Sequence, residues 1–282
     1  MSGAALEIEL REVQGPSAVG GGRSRFFDLL YLISVTEFKK TYFGTVLGYF
    51  WSLLRPLMLF GVLLFVFTQI FRIGSQVTNY PVLLLFNVVL FTFFQEATTE
   101  AVPSVINQEG IVRKTQFPRL VIPLAVVLTN VFDLGVNLVA VLIFILAFGV
   151  APTSTWLLFP VVVVLLFAIT TAVAMILSSL YVRFRDVGII WGVLGRMLFY
   201  ATPVLYVLEI VPSKFRDFIL LNPLTPLFEQ ARAWIIDPDA PGAVSAAGGW
   251  SHLIAPMVIY ALVCVFSVWI FNREAPRIAE EL

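Results

Sequence analysis

Six long apolar stretches constrain the fold of this chain more than any other feature of its sequence. They cover residues 48–71, 80–101, 120–148, 156–182, 187–207 and 252–271. A helix needs about 20 apolar residues to cross a bilayer core of roughly 30 Å, whereas a membrane barrel uses strands of about 9 to 11 residues of alternating character. The pattern therefore predicts an all-α membrane protein with six transmembrane helices.

The composition excludes several other classes of protein. Charged residues make up 13% of the 282 residues, about half the share found in soluble domains. The net charge is zero, which argues against a nucleic-acid partner. Cys264 is the single cysteine and His252 the single histidine, so an internal disulfide and a cysteine-based metal site are excluded. We expect no metal and no cofactor in this chain.

The positions of lysine and arginine predict the orientation. With a cytoplasmic N-terminus, twelve of the 18 basic residues fall in inner segments, two lie within spans (Arg55 and Arg196) and four fall in outer segments. Those four are Arg72, Lys214, Arg216 and Arg232. Basic residues accumulate on the cytoplasmic side of membrane proteins. The bias predicts a multi-pass protein with both termini in the cytoplasm.

The chain divides into three parts. Residues 1–25 are rich in small and polar residues and are expected to form a disordered cytoplasmic tail. Residues 26–43 predict an amphipathic helix in the headgroup layer, because their large apolar residues recur every three or four positions. These residues are Phe27, Tyr31, Val35, Phe38 and Tyr42. Residues 44–282 form the six-span domain. A plain tether is the alternative interpretation of the 26–43 helix.

No motif for ATP binding or catalysis is present in the sequence. Gly20-Gly21-Gly22-Arg23-Ser24 lacks both the spacing and the flanking strand of a phosphate-binding loop. Paired catalytic carboxylates and a Ser/His/Asp arrangement are also missing. The chain is therefore not expected to be an enzyme, and any ATP-driven work requires a separate subunit.

Four segments carry a resemblance to a known family. They are the loop N-Q-E-G-I-V-R-K-T-Q-F-P-R at 107–119 with its continuation L-V-I-P-L, Y-V-R-F-R-D-V at 181–187, T-P-V-L-Y at 202–206, and N-P-L at 222–224 followed by Arg232. In this order on a six-span map, they resemble the membrane subunits of type-2 ABC exporters for cell-surface polysaccharides, the Wzm-like permeases. The resemblance covers about residues 26–271.

The resemblance implies a homodimer in the bacterial inner membrane that binds two copies of a soluble ABC ATPase, which holds the ATP and Mg. The cargo would be a lipid-linked polysaccharide such as an O-antigen, a teichoic acid or a galactan. The loop after span two matches the coupling helix that docks on the ATPase, with Asn107, Glu109, Gly110, Arg113 and Lys114 as the coupling residues. The 26–43 helix matches the interface helix.

Aromatic residues make up 14% of the chain and suit a path for sugars. Aromatic faces stack on apolar sugar surfaces, and tyrosine and tryptophan also donate hydrogen bonds. The candidates for the substrate path are Tyr49, Trp51, Trp191, Phe199 and Tyr200. The competing interpretation is that these residues sit at the membrane interfaces, where tryptophan and tyrosine accumulate in any case.

Two charges lie near the middle of predicted spans, Asp133 in span three and Arg196 in span five. Central charges cost about 2.5–3.5 kcal/mol each on insertion scales and normally face a partner, a cavity or the bundle interior. We predict that the two interact, directly or through water, within one subunit or across a dimer.

The connection at 208–249 is long for a simple loop and rich in large apolar residues. Irregular backbone at membrane depth requires cover from protein or a water-filled cavity. The segment is therefore apolar enough to re-enter the interface, and the resemblance implies that it forms a pair of re-entrant outer helices between spans five and six. Phe215, Phe218 and Phe228 would seal the outer end of the path as a gate.

Two other functions stay open at the level of sequence. The first is a type-2 ABC permease for another amphiphile, a drug or a lipid. The second is an ion-coupled secondary transporter with Asp133 as its coupling carboxylate. A neighbouring ATPase gene favours either ABC function, and neighbouring sugar-transfer genes favour the polysaccharide. Transport on a proton gradient without an ATPase favours the secondary transporter.

The coupling loop generates a first prediction. Exchanging both Arg113 and Lys114 for Glu should uncouple transport, because the reversed charges would face the surface on which the loop docks. Co-purification of the ATPase and export measured together test this. Normal export by a double variant that still binds the ATPase would contradict it.

Overall fold

The computed structural model describes residues 23–43, 50–72, 77–110 and 118–281, and all regular structure in these ranges is helical. The α-helices are α1 (Arg23–Phe43), α2 (Phe50–Phe65), α3 (Tyr80–Asn107), α4 (Val121–Ala147), α5 (Phe159–Arg183), α6 (Asp186–Ala201), α7 (Ser213–Leu220), α8 (Thr225–Ile235), α9 (Ala243–Ala247) and α10 (Trp250–Glu281). A π-helical turn, Val66–Ile70, extends α2, and short 3-10 turns lie at Ser154–Leu158 and Leu208–Ile210.

Five helices in the described residues are long and apolar enough to cross a membrane. They are Phe50–Ile70, Tyr80–Asn107, Val121–Ala147, Ser154–Arg183 and Trp250–Glu274. The prediction of an all-α membrane protein is confirmed. The predicted fifth span corresponds to α6, which has 16 residues and is about 24 Å long. It ends at Ala201 because Pro203 disfavours a helical Thr202, whose backbone is extended. A sixth span at α6 stays a prediction.

Helix α3 is the centre of the bundle. Most of its residues from Tyr80 to Val105 are buried, and it packs most extensively against α4 and α5. The helix continues past Pro103 to Asn107, although a proline inside a helix removes one backbone hydrogen bond. The flanking Val102 and Val105 are almost fully buried and offset that loss. α3 therefore supports every neighbour that lines the site described below.

Helix α1 packs on α4 mainly through residues outside the predicted stripe, although Phe38 of the stripe contacts Phe132 on α4 with ring centroids 5.4 Å apart. Phe26 and Leu30 are buried, and the Ser34 hydroxyl donates to the Ala125 carbonyl at 3.3 Å. Phe27 and Tyr31 remain more than 60% exposed. A helix with one face on the protein and aromatic residues on the other suits the headgroup layer.

The 208–249 segment folds into α7, α8 and α9 and packs against the ends of α5 and α10. Phe228 is buried in the main core, whereas Phe215 and Phe218 on α7 are exposed. The three residues of the predicted outer gate therefore lie in two different environments. Re-entry of this segment into the membrane stays a prediction.

A partly buried ion cluster of Glu209, Glu229 and Arg232 connects the parts of this segment. Arg232 donates through Nη1 to both carboxylate oxygens of Glu209 at 2.9 Å and lies 3.4 Å from Glu229 Oε2. The Leu208 amide donates to Glu229 Oε1 at 2.8 Å. Glu229 is 3% exposed, and this burial raises its pKa to about 7, although Leu208 and Arg232 act in the opposite direction.

This cluster predicts a stability that falls with rising pH. The folded chain binds a proton at Glu229 more tightly than the unfolded chain does, so its contribution is full below the ordinary pKa of 4.5 and is lost as the pH passes about 7. We expect the free energy of unfolding to fall by up to about 3 kcal/mol over that range. Glu229→Gln should flatten the dependence.

Thermal unfolding of purified protein across the pH range measures this effect. Asp239→Asn, which removes an exposed carboxylate of the same segment, is the matched control and should leave the pH dependence unchanged. An unchanged slope in Glu229→Gln would contradict the prediction.

Candidate functional site

A group of charged side chains forms a polar seam along the side of the bundle built by α2, α3, α4 and α6. We use the name polar seam for Arg55 on α2, Glu96 and Glu100 on α3, Asp133 on α4 and Arg196 on α6. Arg55 Nη1 lies 3.9 Å from Glu96 Oε1. The seam brings four helices' charges into one region of an otherwise apolar bundle, which is costly in a membrane unless water or a partner is present.

Two asparagines of α4 hold the seam in place. Asn130 donates to Glu100 Oε2 at 2.8 Å, and Asn137 donates to Ser52 Oγ at 3.3 Å. Both asparagines are buried and also donate to carbonyls of their own helix, one turn back. These bonds fix α4 against α2 and α3, so the carboxylates keep their relative positions.

Cavities follow the seam. One of about 380 Å³ lies between α3 and α6 and is lined by Phe91, Thr92, Gln95, Glu96, Arg196 and Phe199 among others. A second of about 330 Å³ is lined by Glu37, Glu100, Ser104, Asn107, Gln108 and Thr129 among others. A third of about 400 Å³ lies between α1 and the end of α3 and shares Glu37, Asn107 and Gln108 with the second. Between the first two, a water-sized space borders Glu96, Asn130 and Asp133.

Close contact fixes α6 on α3. A Cβ atom at Gly195 would overlap the side-chain amide of Gln95, so only glycine fits without moving Gln95. The Trp191 indole donates to Thr98 Oγ1 at 3.1 Å, and both side chains are buried. The helix that carries Arg196 therefore has a fixed position relative to Glu96.

Arg196 is exposed on α6 and makes no ion pair with any residue that the structure describes. Direct pairing with Asp133 inside one subunit is therefore not seen. Glu96 lies between the two, since it borders both the cavity of Arg196 and the small space beside Asp133. Pairing through water or across a dimer stays a prediction.

The five aromatic residues predicted to line the substrate path do not lie together. Phe199 lines the cavity and packs edge-on against Phe91 at 5.2 Å, and Tyr200 beside it is 65% exposed. Trp191 is turned inward to α3, and Trp51 lies on the outer face of α2. Tyr49 lies outside the described residues. Phe199 and Tyr200 are thus the candidates that the structure brings to the seam.

Three of the predicted coupling residues, Asn107, Glu109 and Gly110, lie at the opposite end of the cavities from α6. Asn107 ends α3 and lines the cavities next to α1, and Gly110 lines one of them. Glu109 adjoins them, whereas Arg113 and Lys114 lie outside the described residues.

From the sequence, Glu96 and Glu100 at the cytoplasmic end of span two either face a substrate entrance or lie in the headgroup layer, and Asn130 and Asn137 have no predicted role. The signal was present as spacing: Thr92, Glu96 and Glu100 recur every four residues on α3, and Asn130, Asp133 and Asn137 recur at three and four on α4. Polar residues at helical spacing inside apolar helices share one face. Gln95, which adjoins this face, showed no such pattern.

The chain is similar to known transport proteins over most of its length. Residues 28–236 match the family model of the ABC-2 type transporter. The O-antigen export system permease protein RfbA of Klebsiella pneumoniae is 31% identical, over 91% of this chain and 95% of its own length. The O-antigen export system permease protein RfbA of Myxococcus xanthus is 28% identical, over 90% of this chain and 95% of its own length. The polysialic acid transport protein KpsM of Escherichia coli is 22% identical, over 80% of this chain and 86% of its own length.

This chain belongs to the ABC-2 type transporter family. It is a multi-pass membrane protein of the bacterial inner membrane and a transport subunit of an ABC system. The resemblance drawn from its four sequence segments is confirmed.

The different environments of the aromatics generate a prediction. Trp191→Phe should reduce stability by about 1 kcal/mol, since it removes a buried hydrogen bond, and should leave transport per folded complex unchanged. Tyr200→Ala should reduce transport per folded complex and leave stability nearly unchanged, because its exposed ring packs little inside the subunit. Thermal unfolding and transport normalised to folded protein measure both. A transport defect confined to Trp191→Phe would contradict the assignment.

Proposed function

We propose that this chain is the permease subunit of an ATP-driven exporter that moves a lipid-linked polysaccharide out of the cytoplasm. Two copies form the transmembrane path, and each binds one copy of a soluble ABC ATPase. Both termini and the 107–120 loop lie in the cytoplasm, as the distribution of basic residues indicates.

The exposed Arg196 carries the proposal. It lies in the middle of an apolar helix beside a cavity of about 380 Å³, with no ion-pair partner in the described part of the chain. A guanidinium in that position is expensive against lipid and inexpensive against water or a second protein surface. A path for a hydrated polymer between two copies of the chain would surround Arg196 with water and with the surface of the second copy.

The surface around Arg196 supports a homodimer. Val193, Met197 and Tyr200 on the same helix are more than half exposed. Phe50 and Val62 on α2 are also exposed. A pair of helices with apolar exposed faces and one shared charged seam fits an interface that is partly packed and partly open to water.

The names of the similar proteins support the cargo. The RfbA relatives are O-antigen permeases and KpsM is a polysialic acid transporter, so all three move polysaccharides. The coverage of at least 86% of each relative places the likeness over the whole membrane domain rather than one segment. Phe91 and Phe199 at the cavity give apolar faces for sugar rings.

Depletion of the protein in its own cells tests the function. We expect a lipid-linked glycan to accumulate on the cytoplasmic side and the surface glycan to fall in parallel. Complementation with the wild-type chain should restore both, and a variant with glutamates at 113 and 114 is the matched negative control. Loss of a drug or lipid from the medium, with no accumulated glycan, would contradict the polysaccharide and favour another amphiphile.

A further inference from the structure

We propose that the glycan carried by this permease is an uncharged, hydroxyl-rich polymer, and that the polar seam selects for it by presenting hydrogen-bond acceptors and negative charge. This inference rests on the proposed function and narrows its substrate class.

The hydrogen-bonding groups along the seam are mostly acceptors. Glu96, Glu100 and Asp133 carry carboxylates, which in their ionised form accept hydrogen bonds and donate none. Gln95 adds a side-chain oxygen that is buried at the wall of the cavity and has no partner among the described residues. A ligand for such a surface must bring donors.

Most of the donors on the seam are already engaged. The Asn130 amide donates to Glu100 and to its own helix, and Asn137 donates to Ser52 and to its own helix. Arg55 faces Glu96 at 3.9 Å. Arg196 remains as the single guanidinium of the described residues at the 380 Å³ cavity.

The negative charge of the carboxylates that line the cavities also favours an uncharged polymer. Glu37 and Glu100 line the cavity of about 330 Å³, and Glu96 lines the cavity of about 380 Å³ next to α6. A polymer with a negative charge on every repeat would pass these carboxylates in succession, in a region where charges are weakly screened. Among the described residues of the seam the positive charges are Arg55, which faces Glu96, and Arg196, so these residues do not give the excess of positive charge that a polyanion requires.

Sugar hydroxyl groups match this surface. Each hydroxyl has one donor hydrogen, and neighbouring hydroxyls on a ring present several donors to one carboxylate. The C–H faces of the same ring pack on Phe91 and Phe199 across the cavity. A neutral glycan therefore satisfies both the polar and the apolar walls, whereas a polysialic-type polymer satisfies only the apolar one.

The accumulated glycan gives the direct test. Lipid-linked glycan from depleted cells is released from its carrier by mild acid and passed over an anion exchanger, followed by composition analysis. We expect it to flow through and to contain neutral sugars. Retention on the column, with acidic sugars or phosphate in the repeat, would overturn the substrate class while leaving the export function intact. Absence of any accumulated glycan would instead refute the export function.

Variants of Glu96 test the role of the seam. Glu96→Gln keeps an acceptor of the same size and should export the glycan within about twofold of wild type. Glu96→Ala removes the acceptor and should reduce export about fivefold, the effect of one hydrogen bond of about 1 kcal/mol. Asp239→Ala, which removes an exposed carboxylate away from the seam, is the control and should have no effect.

Surface glycan is normalised to the amount of permease that elutes as a folded complex, so that a folding defect does not count as an export defect. In this proposal the negative charge of the seam disfavours anionic polymers, whereas export of a neutral glycan depends on the capacity of Glu96 to accept hydrogen bonds. Equal loss of export in Glu96→Gln and Glu96→Ala would therefore overturn the proposed role of Glu96 as an acceptor.

Discussion

A guanidinium in the middle of an apolar helix is the constraint on which the rest of the structure depends. Arg196 lies on α6 with no ion-pair partner in the described residues, and a charge at that depth needs water or protein around it. The carboxylates of α3 and α4 lie on the same side of the bundle and need the same environment. We therefore propose that the side of the subunit that carries the seam forms the wall of a hydrated path and that the other sides face lipid.

The buried helix α3 makes this arrangement possible. It carries Glu96 and Glu100 on its polar side and packs on α4 and α5 with the rest of its surface. Gly195 and the Trp191–Thr98 hydrogen bond place α6 against it, and Asn130 places α4. A helix that is buried on all sides except its polar face can hold charged side chains at fixed positions, because its neighbours restrict its rotation.

Much of this was predictable from the sequence, for physical reasons. Apolar length alone indicates helical spans, since no other structure satisfies the backbone of so many consecutive apolar residues in lipid. The cost of Arg196 and Asp133 follows from their positions. Which side chains contact each other cannot be predicted from the sequence, because these contacts depend on how each helix is rotated about its axis in the bundle. Trp191 faces α3 and Tyr200 faces outward, although both are aromatic residues of the same helix. The ion cluster of Glu209, Glu229 and Arg232 likewise joins residues up to 23 positions apart, which no local pattern reveals.

The environment of Arg196 in the membrane tests the central claim most directly. A spin label at Arg196→Cys, in a Cys264→Ser background, reports whether its surroundings are water or hydrocarbon through collisions with a water-soluble nickel complex and with oxygen. A label at Val265, exposed on α10, is the lipid-facing control. We predict that position 196 collides mainly with the nickel complex and position 265 mainly with oxygen. Equal preference for oxygen at both positions would place Arg196 against lipid and contradict a hydrated path along the polar seam.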